Sequence, residues 1–320
     1  MESRRYEKFA EHQPWPEGPV VGPGGWILNV CSFSIPEKGW PARGGDISAT
    51  HVSRPLVTHA VFNTSTADVD GIPAALAFGP DGCLYVTDEG RRSIVRVDPD
   101  GVQSDFITTH EGRRINGAND LSFDLEGNLF FTDPWGSNAD NRVGQVFGYE
   151  WNSGDLHLID SGMAFPNGIV VADGRLYVAE TYTNTIWLYE VSGAGQATGR
   201  TEFCRMPDAP DSPVIWQGKP LAGPDGMALD EDGNLYVAHV GTGNVYVYDP
   251  QGHELEALPT GGAKATNVCF AGPGYDELYV TVDDTWSIIR FDLGVRGRRL
   301  SFCPSMTDDH PWARMLPSIA

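Results

Sequence analysis

The chain repeats itself, and a repeat of this kind leaves few folds open. The segments "LAFGPDGCLYVTDEGRRSIVRVDPDG" (76–101), "LSFDLEGNLFFTDPWGSN" with "GQVFGYEWNSG" (121–154) and "IVVADGRLYVAETYTNTIWLYEV" (169–191) share one layout. So do "MALDEDGNLYVAHVGTGNVYVYDPQG" (227–252) and "VCFAGPGYDELYVTVDDTWSIIRFDL" (268–293). Each reads as an apolar strand, an Asp/Gly turn, a second strand, a polar loop and a third, alternating strand. A looser sixth copy begins at "EGPVVGPGGWILNVCSF" (17–33). The second strands carry Tyr85, Phe130, Tyr177, Tyr236 and Tyr279, with Ile27 in the like place of the first copy. Four-stranded units spaced by roughly 40–50 residues are the mark of propeller blades. The predicted fold is therefore all-β: a six-bladed β-propeller with four antiparallel strands per blade. Apolar residues alternate with period two, so no substantial helix is expected.

The six copies imply a single domain over 1–320, with lid-like insertions near 34–55 and 202–222. A propeller leaves raw edges unless an end strand completes a shared blade. The candidates for that closure are "RRLSFCP" (298–304) and the segment around "YEKFAEH". The turns "DPDG", "DEDG" and "DLEG" lack the full spacing of a calcium loop and read as hairpin turns. "GAGQATG" (193–199) follows no strand-to-helix pattern, which excludes a dinucleotide fingerprint.

The starts of the innermost strands are less ordinary. The six junctions read "WPEGP", "GIPAA", "GANDL", "GMAFPNGI", "AGPDGM" and "KATNV". Counted back from the second-strand marker, Glu17, Asn119, Asn167 and Asp225 lie ten or eleven residues upstream, and Asn267 lies twelve. Innermost strands all begin around one central channel, so side chains far apart in sequence converge there. Two carboxylates and two or three amide oxygens make a hard-oxygen cage suited to Ca²⁺. Mg²⁺, Mn²⁺ or Zn²⁺ could substitute, zinc least readily because neither His nor Cys stands at these junctions. Taken singly, each junction residue also fits a turn former.

Charge narrows the partners. A net charge of -21 argues against nucleic acid or an anionic membrane and tolerates cations. The start "MESRRYEKFAEHQPWPEG" lacks the apolar run of a signal peptide. The five cysteines, Cys31, Cys83, Cys204, Cys269 and Cys303, form no Cys-x-x-Cys pair. The expectation is a reducing, cytoplasmic setting. Composition is silent on oligomeric state.

The motifs "WPEGPVV", "GANDLSFDLEGNLFFTDP", "FPNGIVV" and "GPDGMALDEDGNLYVA" resemble the gluconolactonase/regucalcin family, which includes diisopropyl-fluorophosphatase-like enzymes. The resemblance spans most of the chain and implies a six-bladed propeller with a catalytic calcium at its axis. It implies that Glu17, Asn167 and Asp225 are metal ligands, and that Asn119 is a further ligand or a substrate contact beside the metal. Some members hold a second, structural calcium through an Asp and a His; the corresponding places here are Ala228 and Cys269. The implied partner is a small-molecule lactone. The alternatives are an organophosphate or ester at the same metal, or a propeller that only binds a ligand.

Spacing and composition by themselves support metal-assisted hydrolysis. Asp225 is the carboxylate expected to assist attack, as general base or as nucleophile. Neither a Gly-x-Ser-x-Gly elbow nor a His-Glu-x-x-His motif competes with this reading. Loops after the second strands open on the same face, so His239, Glu180, Asp133, Trp135 and Asp88 are expected at the pocket rim, each also a plausible capping or packing residue. The insertions bring Trp40, Arg43 and His51, and Trp216 and Lys219, towards the same mouth.

Overall fold

The computed structural model describes residues 5–33, 43–216, 218–299, 302–304 and 310–319. Six four-stranded antiparallel sheets form the blades of one propeller. Blade 1 comprises Pro16–Val21, Trp26–Cys31, Asp46–His51 and Thr58–Asn63; blade 2, Pro73–Phe78, Leu84–Asp88, Ser93–Val97 and Gln103–Ile107. Blade 3 comprises Leu121–Phe123, Leu129–Asp133, Gly144–Tyr149 and Leu156–Met163; blade 4, Pro166–Ala172, Arg175–Glu180, Thr185–Val191 and Ala197–Arg205. Blade 5 comprises Gly223–Leu229, Leu235–Val240, Asn244–Tyr248 and Glu254–Pro259. Helical structure among the described residues amounts to short 3-10 turns, and none of it is long or apolar enough to cross a membrane.

Blade 6 draws Ala265–Ala271, Glu277–Val282 and Ser287–Asp292 from late in the chain and Tyr6–Ala10 from early in it. Tyr6 pairs with Phe291 and Ala10 with Ile288. Phe9 is fully buried, edge-on to Tyr279 at 4.7 Å. Of the two closure candidates, the YEKFAEH segment makes the strand. Of the 298–304 candidate, residues 300 and 301 lie outside the described residues, and Arg298 N donates to Leu229 O of blade 5 at 2.8 Å.

The inner and second strands are buried along most of their length, because each blade packs its faces on two neighbours. Outer strands alternate or are open, as the period-two pattern requires. Parts of both expected insertions belong to blade strands, while residues 34–42 and 217 lie outside the described residues. Asp46–His51 is the third strand of blade 1, in register with Trp26–Cys31, and residues 202–205 finish the outer strand of blade 4. What remains of the second insertion carries a small hairpin, Ile215–Trp216 against Lys219–Pro220.

Candidate active site

Five of the six inner strands break register at their start, and the break aims one residue at the axis. The irregularities fall between Glu17 and Val20, Pro73 and Ala75, Pro166 and Ile169, Pro224 and Met227, and Ala265 and Asn267. Bulges of this kind re-aim a side chain out of the ladder. The Pro-Asn-Gly and Pro-Asp-Gly sequences are thus bulges in strands, not turns.

Their glycines have a steric cause. A Cβ on Gly168 would lie 2.1 Å from Asp225 O, and one on Gly226 would lie 2.1 Å from Asn267 Cγ. Only a residue without a side chain lets adjacent inner strands approach so closely. Threonines then tie four of the junctions to a neighbour. Thr87 Oγ1 donates to Asn119 O at 2.6 Å, Thr132 Oγ1 to Asn167 O at 2.6 Å, Thr181 Oγ1 to Pro224 O at 2.9 Å and Thr266 Oγ1 to Pro16 O at 3.0 Å.

The cavity at this end of the channel has Glu17, Ala74, Asn119, Asn167, Asp225 and Thr266 on its lining, one residue from each blade. The four polar axial residues anticipated at the junctions are brought together there. Asn267 is not. It lies one residue beyond the bulge, with its Oδ1 accepting from Val268 N at 2.8 Å, and Thr266 takes the axial place.

The carboxamides are oriented by their nitrogens. Asn119 Nδ2 donates to Glu89 Oε1 at 3.0 Å and Asn167 Nδ2 to Thr181 Oγ1 at 3.2 Å, which leaves each Oδ1 as the free end. Glu17 accepts from Gly18 N at 3.1 Å, whereas no donor among the described residues reaches the Asp225 carboxylate. The donor set is all oxygen, as a hard divalent cation requires.

Burial dominates the electrostatics. It pushes Glu17 up to about 8, Glu89 up to about 8 and Asp120 up to about 7, and holds Asp225 well above the usual carboxylate range. Lys264 is the lysine on the lining, and it is already paired with Asp283. A nest of buried acids with so little countercharge fits a bound cation, which would offset the cost of ionising them.

The sign of the pH dependence follows. A buried acid with a raised pKa keeps a proton that the unfolded chain has lost. Its contribution to stability is present below about pH 4 and lost as pH rises towards about 8. A cation competes with those protons. The melting temperature difference between calcium-loaded and chelated protein is therefore expected to widen from pH 5 to pH 8. Each displaced proton contributes about 1.4 kcal/mol per pH unit. Scanning fluorimetry at both pH values checks this, and an equal difference would place the cation away from these acids.

The expected rim residues divide. Trp135 and Trp216 line the cavity. Asp88, Asp133 and Glu180 lie off it, because their carboxylates cap the loops behind it. Asp88 accepts from Ile72 N and Arg91 N, Asp133 from Asn116 N and Gly117 N, and Glu180 from Ala164 N. His239 is fully buried off the lining, its Nε2 3.2 Å from Asn184 Oδ1, and burial lowers it to about 4. Arg43 pairs with Asp70 and His51 contacts Gly24 O, both away from the cavity lining. Lys219 bridges to Asp140 at 2.9 Å and ties its hairpin to a blade 3 loop. Trp40 lies outside the described residues.

Among the lining residues that carry no expectation from the sequence are Trp15, Glu89, Lys264 and Asp283. Trp15 directly precedes the Pro-Glu-Gly, and Glu89 follows Asp88, so proximity to the motifs is the signal that could have found them. Ala228 and Cys269, where the resemblance sets the second calcium of some family members, pack in an apolar cluster with Phe270. A Glu150–Asp155–His157 group sits on the third-to-fourth strand turn of blade 3, remote from the axial cavity. A larger hollow, bordered by the inner turns of blades 3 and 4, holds the Arg298–Asp173 ion pair and no axial residue.

Residues 46–283 match the profile of the SMP-30/gluconolactonase/LRE-like region. Diisopropyl-fluorophosphatase of Loligo vulgaris is 28% identical over 317 residues, covering 94% of this chain and 96% of its own. A gluconolactonase of Zymomonas mobilis is 30% identical over 297 residues, covering 84% and 76%. Among solved structures, a calcium-binding regucalcin from Agrobacterium tumefaciens superposes with TM-score 0.73 at 18% identity, covering 94% of this chain and 98% of that one. At that identity the likeness speaks to the fold.

Proposed function

The chain belongs to the SMP-30/gluconolactonase/LRE-like family, and on that premise we propose that it is a calcium-dependent hydrolase that opens small lactone rings. The observation carrying this reading is the axial cluster: four oxygen-bearing side chains from four blades, among buried acids, at the floor of an open cavity. Glu17, Asn119, Asn167 and Asp225 would hold the cation, which when bound supplies a Lewis acid for the substrate's acyl oxygen.

The chain's own residues supply the rest. Asp225, which has no donor among the described residues, takes a proton from water as the water oxygen bonds to the acyl carbon, or adds to that carbon itself. In the first route the ring C–O bond breaks and the departing alkoxide recovers the proton, giving a hydroxy acid. In the second the ring oxygen leaves as an alkoxide that is protonated by water, after which hydroxide cleaves the mixed anhydride and restores the carboxylate. Asn119, fixed through Glu89, presents its Oδ1 beside the same centre. The aromatic mouth limits bulk water around the reacting atoms.

The experiment is exhaustive chelation followed by add-back of calcium, magnesium, manganese or zinc, with a lactone panel read in pH-indicator buffer. Activity should vanish and return with calcium. Turnover untouched by chelation would sink the metal-assisted reading. The similarity to diisopropyl-fluorophosphatase favours one second reading, phosphotriester hydrolysis at the same residues, and including a fluorophosphate in the panel compares the two.

A further inference from the structure

The wall above the axial residues differs in character from the floor. Trp15, Phe33, Trp135, Phe165, Tyr182 and Trp216 all line the cavity, and all six remain half-buried. They form connected groups: Trp15 lies 5.1 Å from Phe33 and 6.3 Å from Trp216, and Phe165 lies 6.1 Å from Tyr182. Half-open aromatic rings around one concave site are the surface that an apolar ligand covers.

Several polar side chains along the cavity have their hydrogen-bond donors already committed. Ser32 Oγ donates to Pro73 O at 2.6 Å. The Thr181 and Thr266 hydroxyl protons go to the carbonyls of Pro224 and Pro16. Lys264 is held between Asp283 and the face of Trp15, 3.9 Å from the ring centroid. The Asn119 and Asn167 amide nitrogens donate to Glu89 and Thr181. A polyol entering here would turn several hydroxyls against ring faces, and a buried hydroxyl without a partner is costly.

We infer that the cavity selects lactones whose ring carries a hydrocarbon substituent, and discriminates against polyhydroxylated sugar lactones. This rests on the hydrolytic reading above and specifies its substrate class. The floor receives the acyl group, and the aromatic wall receives the alkyl or aryl substituent. Each unpaired hydroxyl lowers productive binding by about 10-fold, and an alkyl chain laid over two indoles raises it by about 10- to 100-fold.

The test uses the calcium-loaded full chain and two lactones with the same six-membered ring, δ-decalactone and glucono-δ-lactone. The corresponding lactams serve as ligands that are not turned over, followed by tryptophan fluorescence. The expected result is a kcat/KM at least about 100-fold higher for δ-decalactone. Trp216→Ala, on a short surface hairpin, should reduce that ratio by about 10-fold through KM, with Trp216→Phe recovering most of it.

Equal or faster turnover of the sugar lactone overturns the inference and leaves the hydrolytic reading standing. Absence of turnover with selective binding of the alkyl lactam does the reverse. Failure of the alkyl lactam to bind, or a ratio unmoved by Trp216→Ala, also overturns the inference.

Discussion

Asp225→Asn should lower kcat by about 10³-fold or more at saturating calcium, with little change in fold. The substitution keeps the side chain's shape and one oxygen for a cation but removes the anion. Base or nucleophile removal of this kind typically costs 10²- to 10⁴-fold. The choice of Asp225 over Glu17 is physical. Glu17 is anchored by Gly18 N, whereas the Asp225 carboxylate has no protein donor among the described residues and faces the cavity. Glu17→Gln is therefore expected to act mainly by weakening cation affinity, and raising calcium should restore much of its activity. Initial rates for both variants across a calcium titration separate the roles. An Asp225→Asn enzyme within about tenfold of wild type would remove Asp225 from the chemistry.

Gly168→Ala should destabilise the protein by about 3 kcal/mol or more, the upper end of what overpacking costs. Its Cβ would sit 2.1 Å from Asp225 O and 2.8 Å from Gly226 Cα. Both are backbone atoms of the next blade, so no rotamer change relieves the clash. The ring must widen between blades 4 and 5, and that movement shifts Asp225 itself. Stability and calcium affinity should therefore fall together. A melting temperature unchanged to within about 1 °C would show that the inner strands are looser than described.

The fold was legible because each blade announces itself locally. Alternating strands, an Asp/Gly turn and a second-strand aromatic recur in five copies and more loosely in a sixth, and repetition turns weak signals into a strong one. The axial residues were legible for the same reason: Glu17, Asn119, Asn167 and Asp225 share one place in the repeat. Asn267 misled because counting along the chain cannot register a bulge one residue earlier, which hands the axial place to Thr266. Asp88, Asp133 and Glu180 end second strands at the right height, yet their carboxylates satisfy loop amides rather than the cavity. The pairing of Trp15 with Lys264 was illegible because it is made only when blades 1 and 6 meet. The extent of the insertions was blurred because Asp46–His51 has too few apolar residues to stand out as a strand.

The closure of blade 6 bears on how the molecule is made. Tyr6–Ala10 are synthesised long before the Ser287–Asp292 edge they will occupy, an interval of roughly tens of seconds at ordinary translation rates. For that time the first five blades can stack while the sixth has no edge to receive its outer strand. The ring is thus finished by a late capture across nearly the whole sequence, and contacts of such long separation are slow to form. Until that capture, Phe9 and the groove beside Tyr279 are open to chaperones and to other nascent chains.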